Sequence, residues 1–316
     1  GIDDGARELG RFYPKYFQTV GTPIWDYPDV VSVVSGNPVE QSFAYMNQPF
    51  NGVEFQVEAL NSLGQSIKNY SLFDSTLTAG FSLFEPNFGA RFNSPVPSKV
   101  WSLSSSNSSV GTFTLDETAP TTDCDVELCF EKSPSTNNYE DGPYNGVIGT
   151  PTDISITFTG TASDDPVVYQ NRDVVGRDPQ RLTAQPDIRF GRIELDNVGG
   201  NTGEELTIPL RTEYWNGSRF IVNTNDDSTS VMASASKVDV IWSEEVANTT
   251  TVTLDDGGDV SNGQSRNVTA VQATGVNIRE QVQLWQNMDD SPWLRYNWDS
   301  GVAGEEDPSS VVTFGI

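Results

Sequence analysis

Apolar and polar positions alternate with a period of two along much of this chain. Val53, Phe55, Val57 and Ala59 are separated by Glu54, Gln56 and Glu58, and Ile154, Ile156 and Phe158 by Ser155 and Thr157. Successive side chains of an extended strand point to opposite faces, so both segments predict strands with one buried and one solvated face. Further strands are predicted over 188–195, 206–214, 237–243, 249–254, 276–285 and 311–316. Asn, Gly, Asp and Ser clusters at 197–203, 223–228 and 255–263 separate them as turns. No stretch carries a sustained helical stripe. The pattern predicts an all-β protein of two antiparallel β-sandwich or barrel-like domains. Stretches 131–152 and 163–187 are rich in Pro, Asp and Asn. Placing the boundary in the second gives domains of residues 1–176 and 177–316, packed through a modest interface.

Composition narrows the chemistry. The 316 residues include 18 Lys and Arg against 44 Asp and Glu, a net charge of −26, and no histidine. Without histidine a Ser-His-Asp or Cys-His relay cannot be assembled, nor a histidine-rich metal site. The negative charge disfavours nucleic acid and anionic membrane as partners. Only five of the basic residues are lysine and the acids are scattered through turns. Such a surface suits seawater or brine, where salt screens the repulsion between carboxylates; an ordinary acidic secreted protein has the same composition. Apolar runs such as Val30-Val31-Ser32-Val33-Val34 fall far short of the roughly 20 residues that cross a bilayer, so no membrane insertion is expected. No basic-then-apolar leader precedes Gly1, and the sequence reads as a mature or excised fragment.

Several groups of residues are candidates for chemistry. Cys124 and Cys129 stand five apart, and an extended chain would separate them by about 16 Å against about 5.5 Å between bridged Cα atoms. A disulfide therefore requires a tight turn over 125–128; two free thiols are the alternative. Asp255, Asp256 and Asp259, with Gly257 and Gly258 between, and Asp226 with Asp227, supply the hard oxygen ligands that Ca²⁺ prefers, although none has the spacing of an EF-hand. Solvated turns compete with calcium at both places, and no other cofactor is required. Paired acids such as Glu244-Glu245 and Asp289-Asp290 leave a carboxylate-dependent glycosidase as a residual reading only. Trp293, Tyr296 and Trp298 form an aromatic group whose alternation, read as a strand, divides Trp293 from the other two. Core packing, a sugar-stacking platform and a sticky surface are the readings open to it.

Longer blocks carry a resemblance. Gly10-Arg11-Phe12-Tyr13-Pro14, Phe43-Ala44-Tyr45-Met46-Asn47-Gln48-Pro49-Phe50, the 187–197 and 209–217 segments, Asn223 to Asp227, Pro292 to Asp299, and Thr313-Phe314-Gly315-Ile316 together resemble the C-terminal domain of MshQ-type proteins. Those are encoded with mannose-sensitive haemagglutinin type IV pili in marine and aquatic Gammaproteobacteria. The resemblance implies a large, β-rich, exported surface protein concerned with pilus assembly or adhesion, and it supplies no catalytic residues. Where that family tends to carry a cysteine, this chain has Thr229, which removes a second disulfide. The family also continues past the Phe-Gly-Ile triplet into another strand, so Val311, Val312, Phe314 and Ile316 are expected to lie at an unpaired sheet edge, open to strand exchange with the polar stretch 1–9 of another copy.

The expectation from residues and resemblance together is a non-enzymatic extracellular or cell-surface protein, a subunit of a surface filament or a pilus-associated adhesin. Its partners would be copies of itself or pilus and surface proteins. A carbohydrate-binding module that holds glycans on exposed Trp or Tyr is the alternative.

Overall fold

A computed structural model describes residues 13–116, 124–133, 140–159, 167–170, 180–245, 247, 249–299 and 304–316. The fold is all-β: among the described residues helix is confined to 3-10 turns at Tyr70–Leu72, Ser75–Leu77 and Pro292–Leu294. No helix among them is long and apolar enough to cross a membrane. In the first half the strand Gly52–Leu60 lies between Tyr16–Asp26 and Ser109–Asp116, with Ser98–Leu103 at one edge and Val168–Tyr169 at the other. A three-stranded sheet of Gln180–Arg181, Ser155–Thr159 and Gly80–Phe84 accompanies it. The period-two reading of 53–59 holds, since Val53, Phe55, Val57 and Ala59 are all buried. Their core is aromatic: Phe81 sits edge-on to Phe17 at 5.5 Å and to Phe113 at 5.0 Å, and Phe113 stacks on Phe55 at 5.2 Å, geometries that add to plain area burial.

Among its described residues the second half contains three four-stranded sheets. Val198–Gly200, Ser309–Phe314, Glu280–Gln286 and Ala235–Ser243 form one, and Leu206–Thr207, Val268–Val271, Thr253–Asp259 and Ser230–Met232 another. In the third, Gly191–Leu195, Leu210–Trp215 and Phe220–Val222 run in order, and Gln264–Ser265 also pairs with Leu210–Trp215. The core here is largely aliphatic, with Ile193, Ile208, Leu210, Val282, Leu284 and Val312 buried together.

Three segments differ in structure from the sequence expectation. The 311–316 segment is not an edge: Ser309–Phe314 pairs in parallel with Val198–Gly200 on one side and antiparallel with Glu280–Gln286 on the other. Val312 and Phe314 are core residues, Val311 is partly covered, and Ile316 projects beyond the strand. The further strand that the resembled family adds after the Phe-Gly-Ile triplet suggested an edge, but Val198–Gly200 pairs on that side. The second concerns Asp255, Asp256 and Asp259, which lie on the strand Thr253–Asp259 rather than in a loop. Positive φ at Asp256, Gly257 and Gly258 lets that strand carry residues normally found in turns. The third is the segment from 293 to 298, which is a 3-10 turn followed by a single bridge between Tyr296 and Glu306. The predicted alternation of strand faces there does not apply.

The interface between the halves is not modest. Ala44–Tyr45 pairs in parallel with Ile188–Arg189, and the alternation of this short segment serves two cores at once. Ala44 and Met46 lie in the first core, Phe43 and Tyr45 in the second, and none of the four is more than 1% exposed. Gly191 is required opposite, because a Cβ there would come within 2.3 Å of the Tyr45 ring. The 176/177 boundary and the stretch 1–9 lie outside the described residues.

Candidate functional site

The polar residues with the most constrained surroundings lie along this seam. Tyr45 donates its hydroxyl hydrogen to Asp226 Oδ2 at 2.7 Å and accepts from Asn223 Nδ2 at 2.8 Å. Burial, then the Asp226 carboxylate, pushes the Tyr45 hydroxyl well above its ordinary pKa. Asp226 is wholly buried and also accepts from the Thr229 amide at 2.8 Å, Thr229 Oγ1 at 2.7 Å and the Ser228 amide at 3.1 Å. Thr229 is thus a hydrogen-bond donor inside the network. Arg189 joins the same seam: it donates to Asn223 Oδ1, pairs with Asp187 at 2.7 Å, and lies over the rings of Phe43 and Tyr214 at 4.5 and 4.9 Å.

A second tie crosses the halves through Lys132. Its ammonium contacts Glu305 Oε1 at 2.6 Å and the Arg295 carbonyl at 2.7 Å, and stands 5.0 Å from the Phe190 ring centre. Burial holds it below the usual lysine range, against the opposing pull of Glu305. A third tie is the hairpin of Asp29–Val31 and Pro38–Glu40, whose turn reaches Asp259 on the second half. Ser32 Oγ and Ser230 Oγ each donate to Asp259 at 2.5 Å, and the Val33 amide at 3.1 Å.

Burial works to raise the Asp259 pKa, but hydrogen bonds from Ser230, Ser32 and the Val33 amide hold it below the usual carboxylate range. A carboxyl depressed on folding contributes stability above its unfolded value of about 3.9 and loses it as pH falls through the folded value. The anchoring of the hairpin is therefore expected to persist through the ordinary carboxylate range and to fail only as the pH falls below it. The protection factor of the Val33 amide, its exchange relative to an unstructured amide at the same pH, should fall there, and Asp259→Ala should lower it equally at neutral pH. Unchanged protection in that variant would mean that Asp259 does not hold the turn.

The five predicted metal ligands do not converge. Asp226 is saturated by protein donors, Asp227 accepts from the Asn262 amide, Asp255 from the Asp256 amide, and Asp259 anchors the hairpin. Among the described residues no group of three or more Cys, Asp or Glu is placed to hold a metal. Equal melting temperatures in EDTA and in calcium at matched ionic strength are accordingly expected; a rise of several degrees with calcium would restore a cation site.

Cys124 and Cys129 are bonded, with Cα atoms 5.2 Å apart. Asn93 Nδ2 clamps the intervening turn by donating to the carbonyls of Cys124 and Glu127 at 3.0 and 2.8 Å.

Of the three candidate aromatics Tyr296 and Trp298 stay in contact, and Trp293 lies apart from them in the second core. Tyr296 packs in the first core and donates to Glu140. Trp298 is 37% exposed, edge-on to Tyr296 at 5.1 Å, with the Arg192 guanidinium 4.8 Å from its ring centre. Trp293 is mostly buried but forms part of the wall of a cleft of about 800 Å³ beneath the Asp29–Glu40 hairpin, with Val31, Val34, Met232, Asp256 and Asp290. The seam residues Phe43 and Tyr45 were not singled out by chemistry. The signal for them was the unbroken apolar run 43–46, which leaves a strand no solvated face.

Residues 1–174 match DUF6701, third domain, and residues 189–316 match DUF6701, fourth domain. The chain belongs to the DUF6701 family. No curated protein matches this DUF6701 chain. Among solved structures, the adhesin InvE of Yersinia pseudotuberculosis is 11% identical with a TM-score of 0.28, over 87% of this chain and 57% of that one. The I9–I11 tandem of titin is 10% identical with a TM-score of 0.31, over 94% and 65% respectively. A protein of unknown function from Porphyromonas gingivalis W83 is 8% identical with a TM-score of 0.16, over 93% and 100%. The chain spans less than two thirds of the first two of these structures, and likeness at such scores says nothing of ligand or partner.

Proposed function

We propose that this DUF6701 chain is a non-enzymatic, extracellular structural segment of an adhesive surface protein, of the kind the MshQ-type resemblance implies for pilus-associated adhesins. The observation that carries this reading is the seam. One short strand feeds alternate side chains into both cores, and buried hydrogen bonds and the Lys132 to Glu305 pair close the same junction. A junction built this way keeps the two halves from pivoting as separate beads, which suits a segment that must pass tension or hold a distal binding module at a fixed angle. The acidic composition, the absence of histidine from the sequence and the Cys124 to Cys129 bridge are in keeping with an exported protein. The test is antibody labelling of intact cells of the source organism together with an adhesion assay on a strain lacking the gene. Surface labelling and loss of adhesion are expected; labelling that appears only after lysis, or adhesion that is unchanged, would overturn the reading.

A second reading, glycan binding, rests on the cleft that contains Trp293 and on the exposed ring of Trp298. Stacking on such rings would be read on a glycan array with Trp293→Ala and Trp298→Ala. Binding by the wild type that either substitution abolishes, with near-ultraviolet dichroism unchanged, would move the assignment from structural segment to sugar-binding module.

A further inference from the structure

The sheet that buries Ser309–Phe314 leaves a different strand open. Ala235–Ser243 is nine residues long and, among the described residues, has a neighbour on one side only, Glu280–Gln286. Its other side presents a row of backbone N–H and C=O groups with no ladder partner, the arrangement that invites pairing with another chain. It also exposes apolar surface that a solvated edge does not need: Ile241 and Trp242 are each 51% exposed.

The register with the inner neighbour fixes which way each side chain points. Val238 and Val240 stand opposite Leu284 and Val282, both buried, so these two lie on the core side of the sheet, where Val240 packs against the core and Val238 stays 37% exposed. Lys237, Asp239 and Trp242 stand opposite Trp285, Gln283 and Gln281 and share the outer face. There the Lys237 ammonium pairs with Asp239 at 2.6 Å and lies 4.1 Å from the Trp285 ring centre. Register shifts between Ala235 and Lys237 and between Val240 and Trp242 break the ladder at both ends. They confine regular pairing to a short central run.

We propose that the chain pairs with a second copy of itself along this edge, antiparallel, with the two-fold axis at Val238. Charge selects the register. Residues directly opposite in an antiparallel pair share a face, so a two-fold axis must pass through a residue facing its own copy. An axis at Lys237 sets two ammonium groups opposite each other, and one at Asp239 sets two carboxylates opposite each other; both are unfavourable. An axis at Val238 places Lys237 of each copy opposite Asp239 of the other, twice. The intrastrand pair already present becomes a four-charge ladder on the outer face, and the two Val238 side chains meet on the core side. The net charge of −26 opposes the approach of two copies, so association strengthens as salt rises from very low levels and screens that repulsion. The short regular run makes the dimer reversible. This surface is independent of the adhesive reading and stands or falls separately from it.

Sedimentation of the intact chain at submillimolar concentration and moderate salt tests the pairing. A reversible dimer is expected. Lys237→Asp and Asp239→Lys, both at exposed positions, should each weaken it about tenfold or more, since each turns both attractive pairs into repulsive ones. The double swap Lys237→Asp with Asp239→Lys should restore it, and so should an equimolar mixture of the two single variants. Val238→Cys should form a disulfide-linked dimer on mild oxidation, because opposed Cα atoms in such a pair lie about 4.5 to 5.5 Å apart. A wild type that stays monomeric throughout, a dimer indifferent to the single reversals, or failure of the Val238→Cys chain to cross-link would each overturn the proposal.

Discussion

Replacing Asp226 with alanine is expected to lower the stability of the whole chain by about 3 to 5 kcal/mol. The carboxylate is fully buried and receives hydrogen bonds from Tyr45, Thr229 and the Ser228 and Thr229 amides. Its removal leaves these donors facing an apolar gap, and each buried donor left unsatisfied costs about 1 to 3 kcal/mol. Asp226→Asn repairs only part of the loss: its oxygen can still accept from the Ser228 and Thr229 amides, but its NH₂ faces the Tyr45 and Thr229 hydroxyls, whose own hydrogens then lose their acceptor. Tyr45→Phe deletes one hydroxyl, which donates to Asp226 and accepts from Asn223, and keeps the ring in the core, so its cost is smaller, about 1 to 2 kcal/mol. Urea denaturation followed by tryptophan fluorescence measures all three. A cost below about 1 kcal/mol for Asp226→Ala would mean that water replaces the carboxylate and that this network does not hold the seam.

Residues 177–316 expressed alone are expected to collapse without fixed packing. That segment lacks Phe43 and Tyr45, whose rings are fully enclosed among Ile193, Leu210 and Leu294 and the other residues of the second core. Emptying the space of one large buried aromatic costs about 3 to 5 kcal/mol, and two such losses approach the whole stability of a typical domain, about 5 to 15 kcal/mol. The excised segment should retain a far-ultraviolet β signal, lose its near-ultraviolet bands and bind ANS. In the intact chain, Phe43→Ala alone should lower stability by about 3 to 5 kcal/mol. A sharp cooperative melt from the isolated segment would show that the second core closes without these rings.

Legibility in the sequence followed the clarity of the alternation. The strand Gly52–Leu60 could be read because bulky apolar residues occupy its buried positions and glutamate or glutamine the others. Ser109–Asp116 alternates just as strictly in burial, but Ser109 and Gly111 fill two of its buried places, and no apolar stripe is visible. Gly111 is small for a reason outside its own strand: a Cβ there would come within 2.7 Å of the Trp101 ring. Acidic residues misled in another way. A sequence gives the spacing of Asp226 and Asp227 but not what lies across the fold, so a buried acceptor for Tyr45, 181 positions away, looked like a cation ligand. The open edge was expected at 311–316 because the resembled family adds a further strand after them; which strand is outermost depends on long-range pairing, to which local alternation is blind.

The alternate feeding of residues 43–46 into two cores also bears on the order in which the protein is made. A chain synthesised from its N-terminus has the first five-stranded sheet to hand before residues 191–316 exist. For that interval Ala44 and Met46 have most of their neighbours while Phe43 and Tyr45 have little beyond each other and Arg189, and two large rings project from an otherwise finished surface. Half-built chains meeting at this stage can bury those rings in one another, the route by which incomplete proteins aggregate. Slow elongation past residue 190, or delay between its arrival and that of the rest, lengthens the exposure, so recovery of native protein should depend on how fast the second half follows the first.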